Sequence, residues 1–287
     1  MTSLFLAIAV VLYVLATVQV LRFVKSKPSS DTGASETAQS SDSLTHTVPS
    51  LKLAFVLGCT ATLSHAIYAS QISIVEGMLD LSLNSMLVLI SCILVSLYLL
   101  GSTLMPIKRL GILVFPLTAF NLMFSLLWPN EMSSEFGNQN QALNSHILIS
   151  ILAFSVLAIA AIQAVLYAYQ ERQIKQRTNP ALLMALPPLQ TMELLLFRLV
   201  TVGFVLLSLA LVSGALFSQE IFGHAFEFKH HTILAMMGWV VFAILLFKRM
   251  VTGIPGSQAV LWTIGGFVLI NLGYFGTKMI TESLAMV

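Results

Sequence analysis

Eight apolar stretches divide this chain, and nothing else in it limits the possible folds as severely. They run from Leu4 to Val24, Leu53 to Ile74, Leu83 to Leu100, Leu110 to Trp128, Ile147 to Tyr169, Leu194 to Phe217, Thr232 to Phe247 and Val260 to Ile280. A helix rises about 1.5 Å per residue, so roughly 20 apolar residues cross a hydrocarbon core of about 30 Å. Lipid offers a bare backbone no hydrogen-bond partner, so each stretch must be helical. Composition agrees, at 57% hydrophobic and 9% charged residues, where soluble domains average roughly 45 to 50% and about 25%. The expected fold is all-α: a polytopic bundle of about eight transmembrane helices in a lipid bilayer.

The basic residues predict its orientation, because lysine and arginine are retained on the cytoplasmic side. Arg22, Lys25, Lys27 and Lys52 flank the first loop, Lys108 and Arg109 the third, Arg172, Lys175, Arg177 and Arg198 the fifth, and Lys248 and Arg249 the seventh. The alternate loops carry Glu76, Asp80, Glu131, Glu135, Glu220 and Glu227, with only Lys229 and Lys278 as basic exceptions. Both termini are therefore expected outside. The opening Met1-Thr2-Ser3 has neither the basic charge nor the following cleavage pattern of a signal peptide, so residues 1–25 read as a first transmembrane helix. Residues 26–50 hold eight serines and four threonines and bury no core, which predicts a disordered cytoplasmic linker. Residues 51–287 form the remaining seven-helix membrane domain. Pro180, Pro187 and Pro188 break any helix through the fifth loop. The sixth helix then opens on Gln190-Thr191-Met192-Glu193, which reads as a capped, amphipathic first turn.

A net charge of +2, scattered between apolar runs, gives no basic surface for nucleic acid. Cys59 and Cys92 sit inside apolar runs with no CxxC or CxxCH context, so neither a redox pair nor covalent haem attachment is indicated. No Ser-His-Asp arrangement, P-loop, HExxH or Gly-rich phosphate cradle is present, and no enzyme activity is expected. Gly265-Gly266 and Gly273-x-x-Gly276 read as close helix packing. No pair of broken, inverted-repeat helices suggests a transporter.

The histidines are the remaining chemistry. His46 lies in the linker, but His65, His146, His224, His230 and His231 all fall toward the predicted outer face. His146 opens the fifth apolar run after Asn144 and Ser145. The seventh run has only 16 apolar residues, about 24 Å of helix, so its helix must start near Lys229 to cross. His230 and His231 then reach a depth similar to His146, although two successive helical residues cannot both face one ligand. His65 lies about 10 Å further in. Ionisable residues within membrane helices are costly and mark function by default, yet imidazole also serves as a plain interhelical hydrogen-bonding group. Neutral imidazole is the common axial ligand of haem iron, and Trp239 stands near His231 to stack on a porphyrin.

The stretches His146-Ile-Leu-Ile-Ser-Ile-Leu-Ala-Phe-Ser-Val-Leu, Gln170-Glu171-Arg172, Leu189-Gln190-Thr191-Met192-Glu193, His231-Thr232 to Trp239 and Gly266-Phe267 to Gly276 together resemble the cytochrome c assembly superfamily. The likeness is greatest to its eight-helix YpjD/HemX-like branch of bacterial inner-membrane proteins, and it covers roughly Leu53 to Ile280. It implies a multi-pass protein of the bacterial cytoplasmic (inner) membrane that handles haem, whose CcsA and CcmC members carry haem for attachment to apocytochrome c. On that likeness His146 matches an outer-face haem histidine, and His65 and His231 match histidines recurrent in the branch. The expected site is noncovalent haem near the outer leaflet, with His146 and His231 as axial iron ligands, His65 in reserve and Trp239 at the ring. The chain departs from the haem-delivering members in two places. It reads Gly223-His224-Ala225-Phe226-Glu227-Phe228 where they carry a tryptophan-rich WGxxWxWD segment, and it has no second outer-face histidine after Gly276. The alternative expectation is an accessory or regulatory subunit that acts on a partner membrane protein, in haem biosynthesis or transport, without binding haem.

Overall fold

The computed structural model describes residues 2–25, 51–75, 78–105, 107–127, 141–177, 187–216, 230–276 and 278–279. The predicted linker over 26–50, the loop that replaces the tryptophan-rich segment, and His46 and His224 lie outside these residues. Among the described residues, eight helices are long and apolar enough to cross a membrane. They are α1 (Thr2–Lys25), α2 (Leu51–Ser73), α3 (Leu83–Leu104), α4 (Gly111–Leu127), α5 (Gln141–Gln176), α6 (Leu189–Leu216), α7 (His230–Val251) and α8 (Gly256–Asn271). A 3-10 turn, Lys108–Leu110, leads into α4, and a π-turn, Leu272–Gly276, ends α8. Two short antiparallel strands, β1 (Ile74–Val75) and β2 (Met78–Leu79), join α2 to α3 with Ile74 opposite Leu79.

Two of these bounds differ instructively from the sequence expectation. Helix α5 begins at Gln141 and runs to Gln176, so His146 sits inside the helix, not at its opening. Hydropathy sees only the part of a helix that lipid must cover, and polar turns such as Asn144-Ser145 continue the helix beyond it. At the other end of the chain the last run stops as an α-helix at Asn271, and Gly273 and Gly276 fall within the π-turn that follows.

The helices form two rings of four. In the first, α1 packs on α2 and α4, and α3 closes the ring between them. In the second, α5 packs on α6 and α8, and α7 closes it. The rings meet along α3 and α5, with a thinner contact between α4 and α5. Eight crossings bring Thr2 and Gly276 to one face, and Arg22, Lys52, Lys108, Arg109, Arg172, Lys175, Lys248 and Arg249 to the opposite one. The two ends are called here the histidine end and the basic end.

With no hydrophobic effect to drive helices together in lipid, close packing and interhelical hydrogen bonds must do so. Helix α1 buries Leu6, Ala9, Tyr13, Ala16 and Val20, spaced three and four residues apart on one stripe. Leu4, Val11, Val14 and Leu15 face outward. Tyr13 stacks on Phe115 of α4 with ring centroids 5.9 Å apart, and Gly58 of α2 lets that ring in, since a Cβ there would lie 2.7 Å from Phe115 Cζ. In the second ring Gly266 admits Phe242 in the same way, whereas its neighbour Gly265 faces open space. The expectation of close packing therefore holds for Gly266 and Gly273 but not for Gly265.

Polar side chains add cross-links. Asn121 donates to the Leu87 carbonyl at 3.0 Å and to Ser91 Oγ at 2.8 Å, and Tyr68 pairs with Ser125 at 3.0 Å. At the histidine end the buried Asp80 accepts from Ser82 N at 3.0 Å and from the Ser82 and Ser85 hydroxyls at 2.6 Å each, which fixes the start of α3. The seam between the rings is apolar there, with Met86, Ile90 and Ile151 buried beside Phe154, Tyr274 and Phe275. Lys278 donates to the Leu81 carbonyl, so the end of the second ring is tied to the loop of the first.

Candidate functional site

The histidine end of the second ring holds His146 and His231. His146 is half-buried on α5, and its Nδ1 lies 2.9 Å from Ser213 Oγ on α6. Ser213 in turn donates to the Ala210 carbonyl at 3.0 Å. The next residue, Gly214, lets α6 come up to the imidazole edge: a Cβ there would lie 3.0 Å from His146 Cε1. His231 is exposed in the first turn of α7 and is near enough to His146 for its charge to act on that ring. The π-turn of α8 supports it, since a Cβ on Gly273 would stand 3.2 Å from the His231 carbonyl oxygen.

Trp239 sits about two turns along α7 from His231. Its indole Nε1 donates to Ser208 Oγ at 2.8 Å, and its ring stacks on Phe204 at 5.3 Å. Both partners are on α6, so one face of the indole is covered by protein.

His65 is elsewhere. It is fully buried on α2 in the first ring, with Nδ1 3.3 Å from the Tyr13 hydroxyl of α1. That hydroxyl also lies 3.1 Å from Thr62 Oγ1, and Thr62 donates to the Gly58 carbonyl at 2.8 Å. The backbone of Val88 acts on the ring from α3, but Nε2 has no hydrogen-bond partner. The fold thus places His146 and His231 at the same end of the second ring and leaves His65 in the first. Among the described residues no group of three or more His, Cys, Asp or Glu side chains could hold a metal ion. Two histidines at this end are fewer than the three or four ligands that a tetrahedral zinc takes.

The basic end of the same ring has its own polar cluster. Arg249 of α7 donates to Glu193 of α6 at 2.8 Å and to the Ile254 carbonyl at 3.3 Å, and lies over the Phe197 ring at 4.4 Å. Gly256 begins α8 so close that a Cβ would overlap the Tyr167 hydroxyl of α5 and stand 3.1 Å from Glu193 Oε2. Glu193 therefore does more than open an interfacial turn, because all four helices of the ring converge on it. Neither Ser213 nor Arg249 stood out in the sequence. The traces they left were a Ser-Gly pair near the end of an apolar run, and an acid, Glu193, just before the start of the same run.

A family model described as cytochrome C assembly protein matches residues 54–285, which is most of the chain. The chain belongs to that family. Among similar proteins, the inner membrane protein YpjD of Escherichia coli K12 is 28% identical over 182 residues, covering 63% of this chain and 65% of YpjD. The cytochrome c biogenesis protein CcsA of Chlamydomonas reinhardtii is 25% identical over 197 residues, covering 66% of this chain and 54% of the relative. CcsA of Guillardia theta is 25% identical over 195 residues, covering 61% and 65%. The match thus spans less than two thirds of each relative's length. His65, His146, Ser213 and His231 lie inside the family-matched region, whereas α1, which supplies Tyr13 to His65, lies before it.

Proposed function

We propose that this family member binds haem noncovalently at the histidine end of its second helix ring, with His146 and His231 holding the iron. The observation that carries this reading is a shared position: α5 carries His146 and α7 carries His231 to the same end of one four-helix ring. The chemistry of the donor set fits the group. The hydrogen bond that α6 makes to the His146 ring is at Nδ1, and a neutral imidazole nitrogen is what haem iron takes. Bound haem would supply a redox-active or transferable iron porphyrin. The residues of this chain would bind and orient it, with Trp239 and Phe204 as apolar wall and Ser213 behind the ligand. Relatives named for cytochrome c biogenesis support a role in delivering or guarding haem for that process. On this reading the protein belongs to a bacterial inner membrane, with the histidine end and both termini on the outer face, as the positive-inside rule predicts.

The absence of a tryptophan-rich segment between α6 and α7 favours a second reading, an accessory subunit that acts on a partner membrane protein. One experiment separates the two. Purified in mild detergent and titrated with haemin, the protein should develop a Soret band that is lost when His146 and His231 are both replaced by alanine. No band in the wild type removes the haem reading. Full complementation of a deletion strain by the His65, His146 and His231 triple variant would support the accessory one.

A further inference from the structure

A histidine can coordinate a metal only through a nitrogen that carries a lone pair, and the hydrogen bond at the other nitrogen decides which one that is. For His146 the hydrogen-bond chain decides it. Ser213 has one hydroxyl proton, and its oxygen lies 3.0 Å from the Ala210 carbonyl, a group that can only accept. The proton must occupy that contact, because two bare oxygens at this distance would repel. Ser213 Oγ then has only lone pairs to offer His146 Nδ1 at 2.9 Å, so the proton between them belongs to the imidazole. Gly214 completes the arrangement by leaving room for the ring edge, 3.0 Å from where a Cβ would be.

We infer that Ser213 is the positioning residue of this site: it fixes His146 as the Nδ1–H tautomer, leaving the Nε2 lone pair as the donor for a metal centre such as haem iron. Imidazole left to itself has no such preset. The relay Ala210 to Ser213 to His146 runs along α6 and across to α5, so the ligand is aimed by a helix that contributes no ligand of its own. This inference rests on the proposed haem reading only for the identity of the ligand, since the tautomer exists before anything binds.

The test begins without haem. In the detergent-solubilised full chain labelled with 15N-histidine, the His146 signals, assigned by their loss in His146→Gln, should show a protonated Nδ1 and an unprotonated Nε2. Ser213→Ala should abolish that preference, and Ser213→Thr, which retains the hydroxyl, should restore it. A wild-type Nε2–H tautomer, or a spectrum that Ser213→Ala leaves unchanged, overturns the inference. Haemin titration is then read separately. Ser213→Ala should weaken binding about 10- to 100-fold, the usual effect of removing a metal ligand's orienting partner, and Ser213→Thr should recover most of it. A wild type that shows the tautomer but no Soret band keeps the Ser213 assignment and sinks only the haem reading. Haemin binding equal in wild type and Ser213→Ala sinks the assignment instead.

Discussion

Arg249 of α7 reaches Glu193 of α6 at 2.8 Å, and the same guanidinium covers the Phe197 ring and caps the Ile254 carbonyl. Both partners remain partly exposed, at 34% and 22%. Its role is to gather four helices at one point, because Glu193 also neighbours Gly256 of α8 and that glycine abuts Tyr167 of α5. Replacing Glu193 by Gln leaves Arg249 without its counter-charge, and a charged hydrogen bond is worth roughly 1.5 to 3 kcal/mol. The variant should unfold in detergent several degrees below wild type by differential scanning fluorimetry. Glu193→Gln combined with Arg249→Met should recover part of the loss, and a double variant no better than the single one contradicts this account.

The two rings predict unequal contributions from the three histidines. His146→Ala and His231→Ala should each lower haemin affinity by at least about tenfold, or 1.4 kcal/mol. His65→Ala, in the other ring, should leave it within about twofold of wild type. Titration followed in the Soret region measures all three, and a large effect of His65→Ala would place the ligand elsewhere.

Tyr13→Phe keeps the ring that stacks on Phe115 and removes the hydroxyl that meets Thr62 and His65. A buried polar group deprived of its partner costs about 1 to 3 kcal/mol. The expected result is a lowered unfolding midpoint with haemin binding unchanged, because the lesion is confined to the first ring.

Gly265 and Gly266 are adjacent and should behave oppositely. Alanine at 266 would meet Phe242 Cζ at 2.9 Å, and overpacking of this kind costs about 1 to 3 kcal/mol. Alanine at 265 meets nothing within 4 Å and removes a helix glycine, a gain of roughly 0.5 to 1 kcal/mol. Thermal midpoints of the two variants should therefore fall on either side of the wild type.

The number and rough extent of the helices were legible because lipid demands runs of about 20 apolar residues, and the run length is written in the chain. The ring arrangement was not. A helix that is apolar on all sides carries no amphipathic stripe, so nothing in α1 announces that Tyr13 faces inward while Val11 and Val14 face outward. For the same reason the glycine pairs could be read as packing residues without showing that Gly265 takes no part. The shared depth of His146 and His231 followed from counting helix rise, and both lie at the same end of the second ring. That His65 belongs to a different ring depends on which helices are neighbours, and helix order in space is not encoded in the spacing of residues along one span. Ser213 stayed invisible because a serine within a membrane helix ordinarily bonds its own backbone, as this one does with Ala210. Its second contact becomes visible only when α5 is laid against α6.

The two halves of the molecule join chiefly where α3 lies against α5, with Tyr13 and Ser213 on other helices. Damage at Tyr13 and damage at Ser213 should sum without interaction, since sites that share no neighbours add to within about 0.5 kcal/mol. Ile90 and Ile151 meet across the seam between the halves, and a departure from simple addition when these two are altered would measure how much passes through that contact.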